Sequence, residues 1–429
     1  MGIILWILRS LASAALGIAI FVAFLVFLVA YIVSSQLLNP QFYSRALTEQ
    51  DAYNRVYDDV LLDSGHQLLA QYYLGDRDLV TYRELVQVAR QVAPPEYLQQ
   101  QTEGAIEGAT DYLSGKDEGL ESYLDAGPVL DKVKPALLEL LDHKIDALPL
   151  WVPDPAKPQQ LQLLEFSAAV QTFFSDLAEG RIPKAVPDVR VVPGPLRGAA
   201  FDGFMAELTS GQGLDPHVAL ALRLAAPDLR REFVAGNSYA TAKLAVRAAA
   251  GVIIDDAIAA ARARLDSQSR LDLADLASRT EIAPGKTWLD QLQEVRQRLA
   301  VLPVIRWAAL AVVALAVLLM GLVHLPRPVP ALGWPGLTLL LTGGVCLGAG
   351  QLASQAGTRT LGHLMDSWVE QAAGVPPSVA DLVGDVLRAL IHDAARSAIG
   401  PSLVLMLCGI LLLALALVLF LIKRRRTSY

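Results

Sequence analysis

The stretch LASAALGIAIFVAFLVFLVAYIV, Leu11–Val33, decides the fold class, because it is long and apolar enough to cross a membrane as a helix. A spanning helix needs roughly 20 consecutive, mostly apolar residues. Three similar runs follow, and none of the four contains Asp, Glu, Lys, Arg or His: Trp307–Val323, Leu337–Ala353 and Leu403–Ile422. The sequence therefore predicts a multi-pass membrane protein with four spans.

The segments between these runs differ greatly in length. Residues 34–300 separate the first span from the second and are numerous enough to form a folded domain. The others are short: residues 1–10, the link 324–336, the segment 355–400 and the tail 423–429. We expect an all-α fold, a four-span transmembrane helical bundle with a large helical extracytoplasmic domain between the first and second spans.

Charge predicts the orientation of the chain. Residues 34–300 carry 38 acidic and 26 basic side chains, whereas the rest of the chain carries 5 acidic and 10 basic. The densest basic cluster, Lys423–Arg426, follows the fourth span, and basic flanks of membrane helices stay cytoplasmic. Arg296, Arg298 and Arg306, at the outer end of the second span, oppose this assignment. We expect cytoplasmic termini, with 34–300 and 355–400 outside, in a bacterial-type inner (plasma) membrane.

Helix-start signals recur in the large segment. In each, a threonine hydroxyl can accept from the amide three residues later, and the carboxylate at that position can accept from the threonine amide. The three signals are Thr48–Asp51, Thr81–Glu84 and Thr287–Asp290. Val189–Val192 is flanked by prolines, which cannot donate to a strand ladder, so we expect an extended loop. The proline-rich stretch 183–195 either joins two helical sub-bundles or lies within a single bundle.

The shorter outer segment, 355–400, predicts an amphipathic helical pair. Its first helix covers Leu361–Ala372, and its second begins at Ser378 as the cap. We expect the apolar stripe of the second helix to dock against the outer leaflet or the large domain. This docking face consists of Val379, Leu382, Val383, Val386, Leu387, Leu390 and Ile391.

The sequence contains no complete catalytic or nucleotide-binding motif. Gly285-Lys286-Thr287 resembles the end of a phosphate-binding loop, but Thr280 stands where that loop requires glycine. No GxSxG, HExxH or CxxC sequence is present. The two cysteines, Cys346 and Cys408, both lie in apolar runs, so the large segment has no disulfides. We expect no cofactor, and a function other than catalysis.

Two clusters place a histidine and two carboxylates on one helical face. They are Glu139, His143 and Asp146, and His363, Asp366 and Glu370. Neither has a second nitrogen or sulfur ligand, which transition-metal sites favour. We therefore interpret both as solvated faces of amphipathic helices, and expect no metal site.

The spans themselves give no indication of transport, because coupled carriers place ionisable residues at membrane depth. The third span holds Gly344 and Gly348 in GxxxG spacing, which lets helix backbones approach closely. We expect this span to pack at the centre of the bundle; lining a pore is the alternative.

These observations favour a non-catalytic envelope scaffold or an interaction or sensing module. Its expected partners are the lipid bilayer and envelope proteins, with no nucleic acid. The order of one span, a large outer domain and three spans resembles permeases of some export ATPases, so a permease-like subunit working with a separate ATPase is the alternative. A membrane enzyme with an unidentified site is the third possibility.

Overall fold

The structure is a computed structural model of the chain. It describes residues 2–63, 80–178, 181–210, 215–283, 285–325, 328–371 and 376–426, with backbone alone at 2–8, 178, 209–210, 282–283, 354–371 and 425–426. The chain divides into two compact units. Unit 1 comprises Met1–Arg55, Thr102–Tyr123 and Leu273–Tyr429, and unit 2 comprises Val56–Gln101 and Leu124–Asp272.

Helices account for 81% of the structure, which makes the protein all-α, as the sequence predicts. In chain order they are α1 (Gly2–Ile32), α2 (Pro40–Glu49), α3 (Ala52–Arg55), α4 (Tyr82–Val92), α5 (Pro95–Ser114), α6 (Gly127–Ala147), α7 (Gln159–Ala178), α8 (Arg197–Ser210), α9 (Pro216–Ala235), α10 (Ser238–Arg262), α11 (Leu273–Arg279), α12 (Trp288–Leu299), α13 (Leu302–Val323), α14 (Pro328–Gln371), α15 (Pro377–Ser397) and α16 (Ile399–Arg426). Short π-helical turns at Val33–Leu37 and Val56–Val60 follow α1 and α3.

The strands of the described residues are very short and form no extended sheet. They are β1 (Tyr123–Asp125), β2 (Leu150–Trp151), β3 (Val186–Pro187), β4 (Arg270–Asp272), β5 (Glu281–Ala283) and β6 (Lys286–Thr287). β2 pairs with β3 in parallel, and β5 pairs with β6 antiparallel. These ladders are short, but Val186 of β3 is fully buried in a core cluster of unit 2.

Unit 1 contains four helical stretches that are long and apolar enough to cross a membrane. They cover Arg9–Leu37, Trp288–Val323, Pro328–Ala353 and Pro377–Arg424. Each includes one of the four apolar runs of the sequence. The described part of the chain therefore has four candidate membrane-spanning helices.

The third of these helices extends beyond the predicted span. α14 runs unbroken from Pro328 to Gln371, and at 1.5 Å per residue such a helix is roughly twice as long as the hydrocarbon core is thick. The predicted helix Leu361–Ala372 is therefore the end of α14, up to Gln371, and not a separate element. Ala372 itself lies outside the described residues.

The membrane helices of unit 1 share one apolar core. Ile20 and Phe24 of α1 are buried against Val313 and Met320 of α13, with Leu339 of α14 in the same cluster. The opposite faces of these helices remain apolar and exposed, as expected of surfaces that contact lipid. A helix that is apolar on all sides belongs in a membrane or in a large core, which agrees with the four candidate spans.

Helix α15 packs on α14, α2 and α3 within unit 1. Asp385 of α15 accepts from Arg55 of α3 at 2.9 Å and from Arg388 at 2.7 Å. Ala380 and Gly384 are the fully buried residues of this helix. These small residues allow close contact with the neighbouring helices. The ion pair of Asp385 with Arg55 links α15 to α3, which follows the first span.

Three local predictions from the sequence are wrong. Thr48 does not begin a helix, because Asn39 caps α2 nine residues earlier and Thr48 donates back to the carbonyl of Ser44 at 2.8 Å. Ser378 lies inside the first turn of α15, whose N-cap is Pro376 without a side-chain bond. Val189–Val191 forms a 3₁₀ turn and not an extended loop, because the Asp188 carboxylate accepts from the amide of Arg190.

Two other helix-start predictions are confirmed. Thr81 accepts from the Glu84 amide while the Glu84 carboxylate accepts from the Thr81 amide, and Thr287 and Asp290 do the same at α12. The proline-rich stretch 183–195 lies within unit 2 and does not separate the units.

Candidate functional site

The face of α6 that carries Glu139, His143 and Asp146 is exposed to solvent. Asp146 accepts from the Lys243 ammonium at 2.6 Å, so one of the three carboxylate or imidazole groups is already paired. His363, Asp366 and Glu370 lie where only the backbone is described. Among the side chains that the structure describes, no three His, Cys, Asp or Glu residues come together as a metal site would require.

The pairing of Asp146 belongs to a ladder of ion pairs between α6 and α10. Lysine or arginine of one helix meets aspartate of the other at four levels: Asp131–Arg262, Lys134–Asp255, Asp142–Arg247 and Lys243–Asp146. Each step forward along α6 is matched by a step back along α10, so the two helices are antiparallel. Exposed pairs contribute only about 0–1 kcal/mol each, but together they select one register.

The most distinctive feature of unit 2 is a pocket with an apolar lining, which we call the phenylalanine pocket. Its interior space is about 60 Å³, and its mouth is partly open to solvent. Its lining consists of Phe166, Val170, Phe173, Phe174, Val186, Pro187, Val189, Phe201, Phe204, Met205, Leu208, Leu229, Phe233, Ser238, Thr241, Ala242 and Ala245. Small-molecule sites of proteins are about 300–1,000 Å³, so this space is far smaller than a typical ligand site and is closer to a packing void in the apolar core.

Four helices and one short strand position this lining. α7 contributes Phe166 and Phe173 one on each side of Val170, which is the spacing of a single helical face. α8, α9 and α10 supply the other walls, and β3 closes one side. The rings of Phe166 and Phe233 lie 6.4 Å apart, within the range of aromatic contact.

The two hydroxyl groups of the lining are engaged within the protein. Ser238 donates to the Asp188 carboxylate at 2.9 Å and accepts from the Val189 amide at 3.1 Å. Thr241 donates to the carbonyl of Asn237 at 2.9 Å. The lining consequently presents apolar surface almost throughout.

Asp188 organises the polar side of the pocket wall. It is 5% exposed, and it accepts from the Arg190 guanidinium at 2.9 Å. Burial alone raises the pKa of this carboxyl, but the hydrogen bonds from Arg190 and Ser238 outweigh burial and hold the pKa below its usual value. The charged carboxylate therefore fixes the turn that carries Val189 into the pocket.

Within unit 1, the close helix contact does not involve the GxxxG pair of the third span. A Cβ on Gly343 of α14 would lie 2.8 Å from the carbonyl oxygen of Ser402, and one on Gly409 would lie 2.6 Å from the amide of Leu340. Around Gly344 and Gly348 no atom of the described residues lies within 4 Å of such a Cβ. Hence α14 and α16 meet at Gly343 and Gly409, while Gly344 faces outward.

The predicted docking face of α15 is only partly covered in unit 1. Val379, Leu382, Val386, Leu387, Leu390 and Ile391 are half-buried, whereas Val383 is 37% exposed. The fully buried positions are the small residues between them, Ala380 and Gly384.

The sequence matches no protein-family model, and comparison with curated proteins and with solved structures found no similar protein. Sequence reasoning did not find the phenylalanine pocket. The available signal was the spacing of aromatic residues, since six of the 11 phenylalanines of the chain line this pocket. That spacing alone is equally typical of an ordinary core.

Proposed function

We propose that this protein is a non-catalytic membrane protein whose helical segment between the first and second spans acts as an interaction and sensing module. In this proposal the segment lies on the extracytoplasmic side of a bacterial-type inner membrane, and both termini are cytoplasmic. Four membrane helices hold it there, and its partners are proteins and lipids of the envelope.

The phenylalanine pocket is the observation that carries this proposal. A catalytic site needs a nucleophile, an acid or base, or a charge-stabilising donor directed at a substrate. The pocket lining carries no ionisable side chain, and its hydroxyls at Ser238 and Thr241 already have protein partners. A cavity with this lining offers no group for bond-making chemistry, which favours a non-catalytic role.

The basic cluster Lys423–Arg426 supports the proposed orientation. Three arginines at the outer end of the second span oppose it, but each has a partner within unit 1. Arg296 stacks over the ring of Tyr112 at 4.6 Å and donates to the carbonyl of Asp117 at 2.8 Å. Arg298 pairs with Glu294 at 2.6 Å. Arg306 lies over the ring of Trp307 at 5.5 Å. The three arginines thus have structural partners within unit 1, and need not mark a cytoplasmic flank.

Site-specific photo-crosslinking in intact cells tests the proposed role. A benzophenone amino acid at Leu224 of α9, which is 75% exposed, should give discrete adducts with envelope proteins. The matched control is Leu411 of α16, which is 68% exposed on a candidate span and should capture lipid only. A third position, Lys423, follows the last apolar run.

Two results would contradict the proposal. Absence of adducts at Leu224, together with an ATPase adduct at Lys423, would favour the permease-like subunit. Turnover of a small molecule that is abolished by substitutions in the described part of unit 2 would favour an enzyme.

A further inference from the structure

We propose that His324 is a pH-sensitive latch, which fastens the end of α13 to α1 and α14 while its imidazole is neutral and opens when the imidazole is protonated. This inference goes beyond the proposed function, and only the side that the latch faces, the cytoplasm, rests on it. All the residues that carry the inference belong to unit 1.

His324 joins the ends of three helices. It directly follows α13, and its Nε2 shares a hydrogen bond of 2.9 Å with the hydroxyl of Ser13 in α1. Its ring stacks on that of Trp334 near the start of α14, with 11° between the ring planes and 6.3 Å between the centroids. Ser13 is buried, so its hydroxyl depends on this bond in place of water. The link between the three helices thus runs through an ionisable ring.

The layer one turn deeper contains no ionisable group. There the same three helices meet at Gly17, Met320 and Thr338, each four residues from its counterpart in the layer above. A Cβ on Gly17 would lie 3.5 Å from Cγ2 of Thr338, and the Thr338 hydroxyl lies 3.7 Å from the sulfur of the fully buried Met320. Because this neutral layer does not change with pH, protonation of His324 opens the outer layer alone.

Charge at this end of the helices opposes protonation of His324. Arg9 lies one turn before the buried serine on α1, and α16, which is antiparallel to α14, ends with Lys423 and Arg424 at the same end. Arg327 lies outside the described residues. Asp and Glu are absent from the parts of the sequence that form these helix ends and the turns beside them: residues 1–33, 301–365 and 398–429. No carboxylate of these segments can therefore neutralise an imidazolium.

The closed latch favours the neutral imidazole. Burial, and then the charge of Arg9, lower the pKa of His324 from its ordinary 6.5. Trp334 compensates little, because a cation gains from a ring face within about 6 Å of the centroid and these rings lie 6.3 Å apart. When the latch opens, the ring reaches water and regains its ordinary pKa. The closed state is therefore fully stable above pH 6.5, and it loses stability as the pH falls from 6.5 to the lowered pKa, because the open state binds the proton first.

Hydrogen–deuterium exchange of the full chain in phosphatidylcholine nanodiscs tests the latch. The amides of His324 and Leu325 donate to carbonyls of the last turn of α13, so they report the opening of this helix end. After correction for the effect of pH on intrinsic amide exchange, we expect their protection to fall between about pH 8 and about pH 5. Each unit by which the pKa values of the closed and open states differ corresponds to about a tenfold loss of protection. Protection in the middle of α13 should stay constant.

Three variants separate the latch from other effects of pH. His324→Gln keeps a polar side chain without a titratable group, and it should remove the loss of protection in acid. Arg9→Gln leaves the imidazole in place and should reduce the loss, since it removes one of the two causes of the lowered pKa. His217→Gln is the matched control at an exposed histidine of α9, and it should keep the loss seen in the wild type.

Equal protection of the wild type at the two pH values, or an equal loss in the wild type and His324→Gln, would overturn the proposal. If His324→Gln does not fold, a smaller loss in Arg9→Gln supports the latch and an unchanged loss overturns it. These measurements involve no envelope partner. Absence of adducts at Leu224 would therefore refute only the proposed function, and protection that is independent of pH would refute only the latch.

Discussion

The close contact between α14 and α16 gives a sharp prediction at two neighbouring glycines. A Cβ at Gly343 would approach the carbonyl oxygen of Ser402 to 2.8 Å and the amide of Met406 to 2.9 Å, and both are backbone atoms of the facing helix. At Gly344 the same atom would meet nothing within 4 Å among the described residues. Gly343→Ala must therefore push two helices apart, and Gly344→Ala need not move anything.

Two effects determine the expected difference in unfolding free energy between these variants. Replacing glycine by alanine inside a helix favours the helix by about 1 kcal/mol, and this gain applies equally to both variants. Overpacking costs typically about 1–3 kcal/mol, and it applies to Gly343→Ala alone. Because the propensity gain cancels in the comparison, the free energies of unfolding of the two variants should differ by about 1–3 kcal/mol.

Thermal or denaturant unfolding in one detergent measures this difference directly. Gly344→Ala should unfold at or above the midpoint of the wild type, and Gly343→Ala should unfold below that of Gly344→Ala. Equal midpoints, or a lower midpoint for Gly344→Ala, would refute the packing of α14 on α16 described above. The latter result would place the close contact at the GxxxG pair instead.

Three further predictions concern helix ends, pH and the α15 face. Thr81→Ala should lower the free energy of unfolding by about 1 kcal/mol in denaturant titrations, because it removes the capping box of α4, whereas Thr48→Ala should change it much less. Burial raises the pKa of Glu84, but hydrogen bonds from Lys144 and Thr81 outweigh it and hold this pKa below its ordinary 4.5. The stabilisation by Glu84 is therefore complete above pH 4.5 and is lost as the pH falls through the lowered pKa. Glu84→Gln should reduce the loss of unfolding free energy on acidification. An unchanged pH dependence of the unfolding free energy in this variant would contradict the prediction. Leu387→Asp should destabilise the protein far more than Arg388→Asp, because Leu387 is half-buried and Arg388 is exposed. Equal melting temperatures of the two variants in nanodiscs would show that α15 lies free in water.

The features that could be predicted from the sequence are those fixed within a few turns of chain. The four apolar runs specify candidate spans by length and polarity alone, and the capping boxes at Thr81 and Thr287 depend only on residues three apart. The same signal at Thr48 fails because Asn39 and Pro40 begin the helix earlier, and a helix once begun continues at little cost.

The features that could not be predicted depend on residues far apart in the chain. Phe166 of α7 and Phe233 of α9 meet only in the folded core, and no local pattern encodes that contact. The pairing of Asp146 with Lys243 likewise requires the antiparallel register of α6 and α10. Glycine spacing identifies a helix face suited to close packing, but the position of the facing helix α16 decides which glycine of the third span makes the close contact.

The topology of the chain is the central claim, and cysteine labelling tests it most directly. With Cys346 and Cys408 replaced, Gln160→Cys and Ser428→Cys are introduced singly; Gln160 is exposed on α7. An impermeant maleimide added to intact cells should label Gln160→Cys and should label Ser428→Cys only after the membrane is opened. Labelling of Ser428→Cys from outside, with Gln160→Cys protected, would contradict the account.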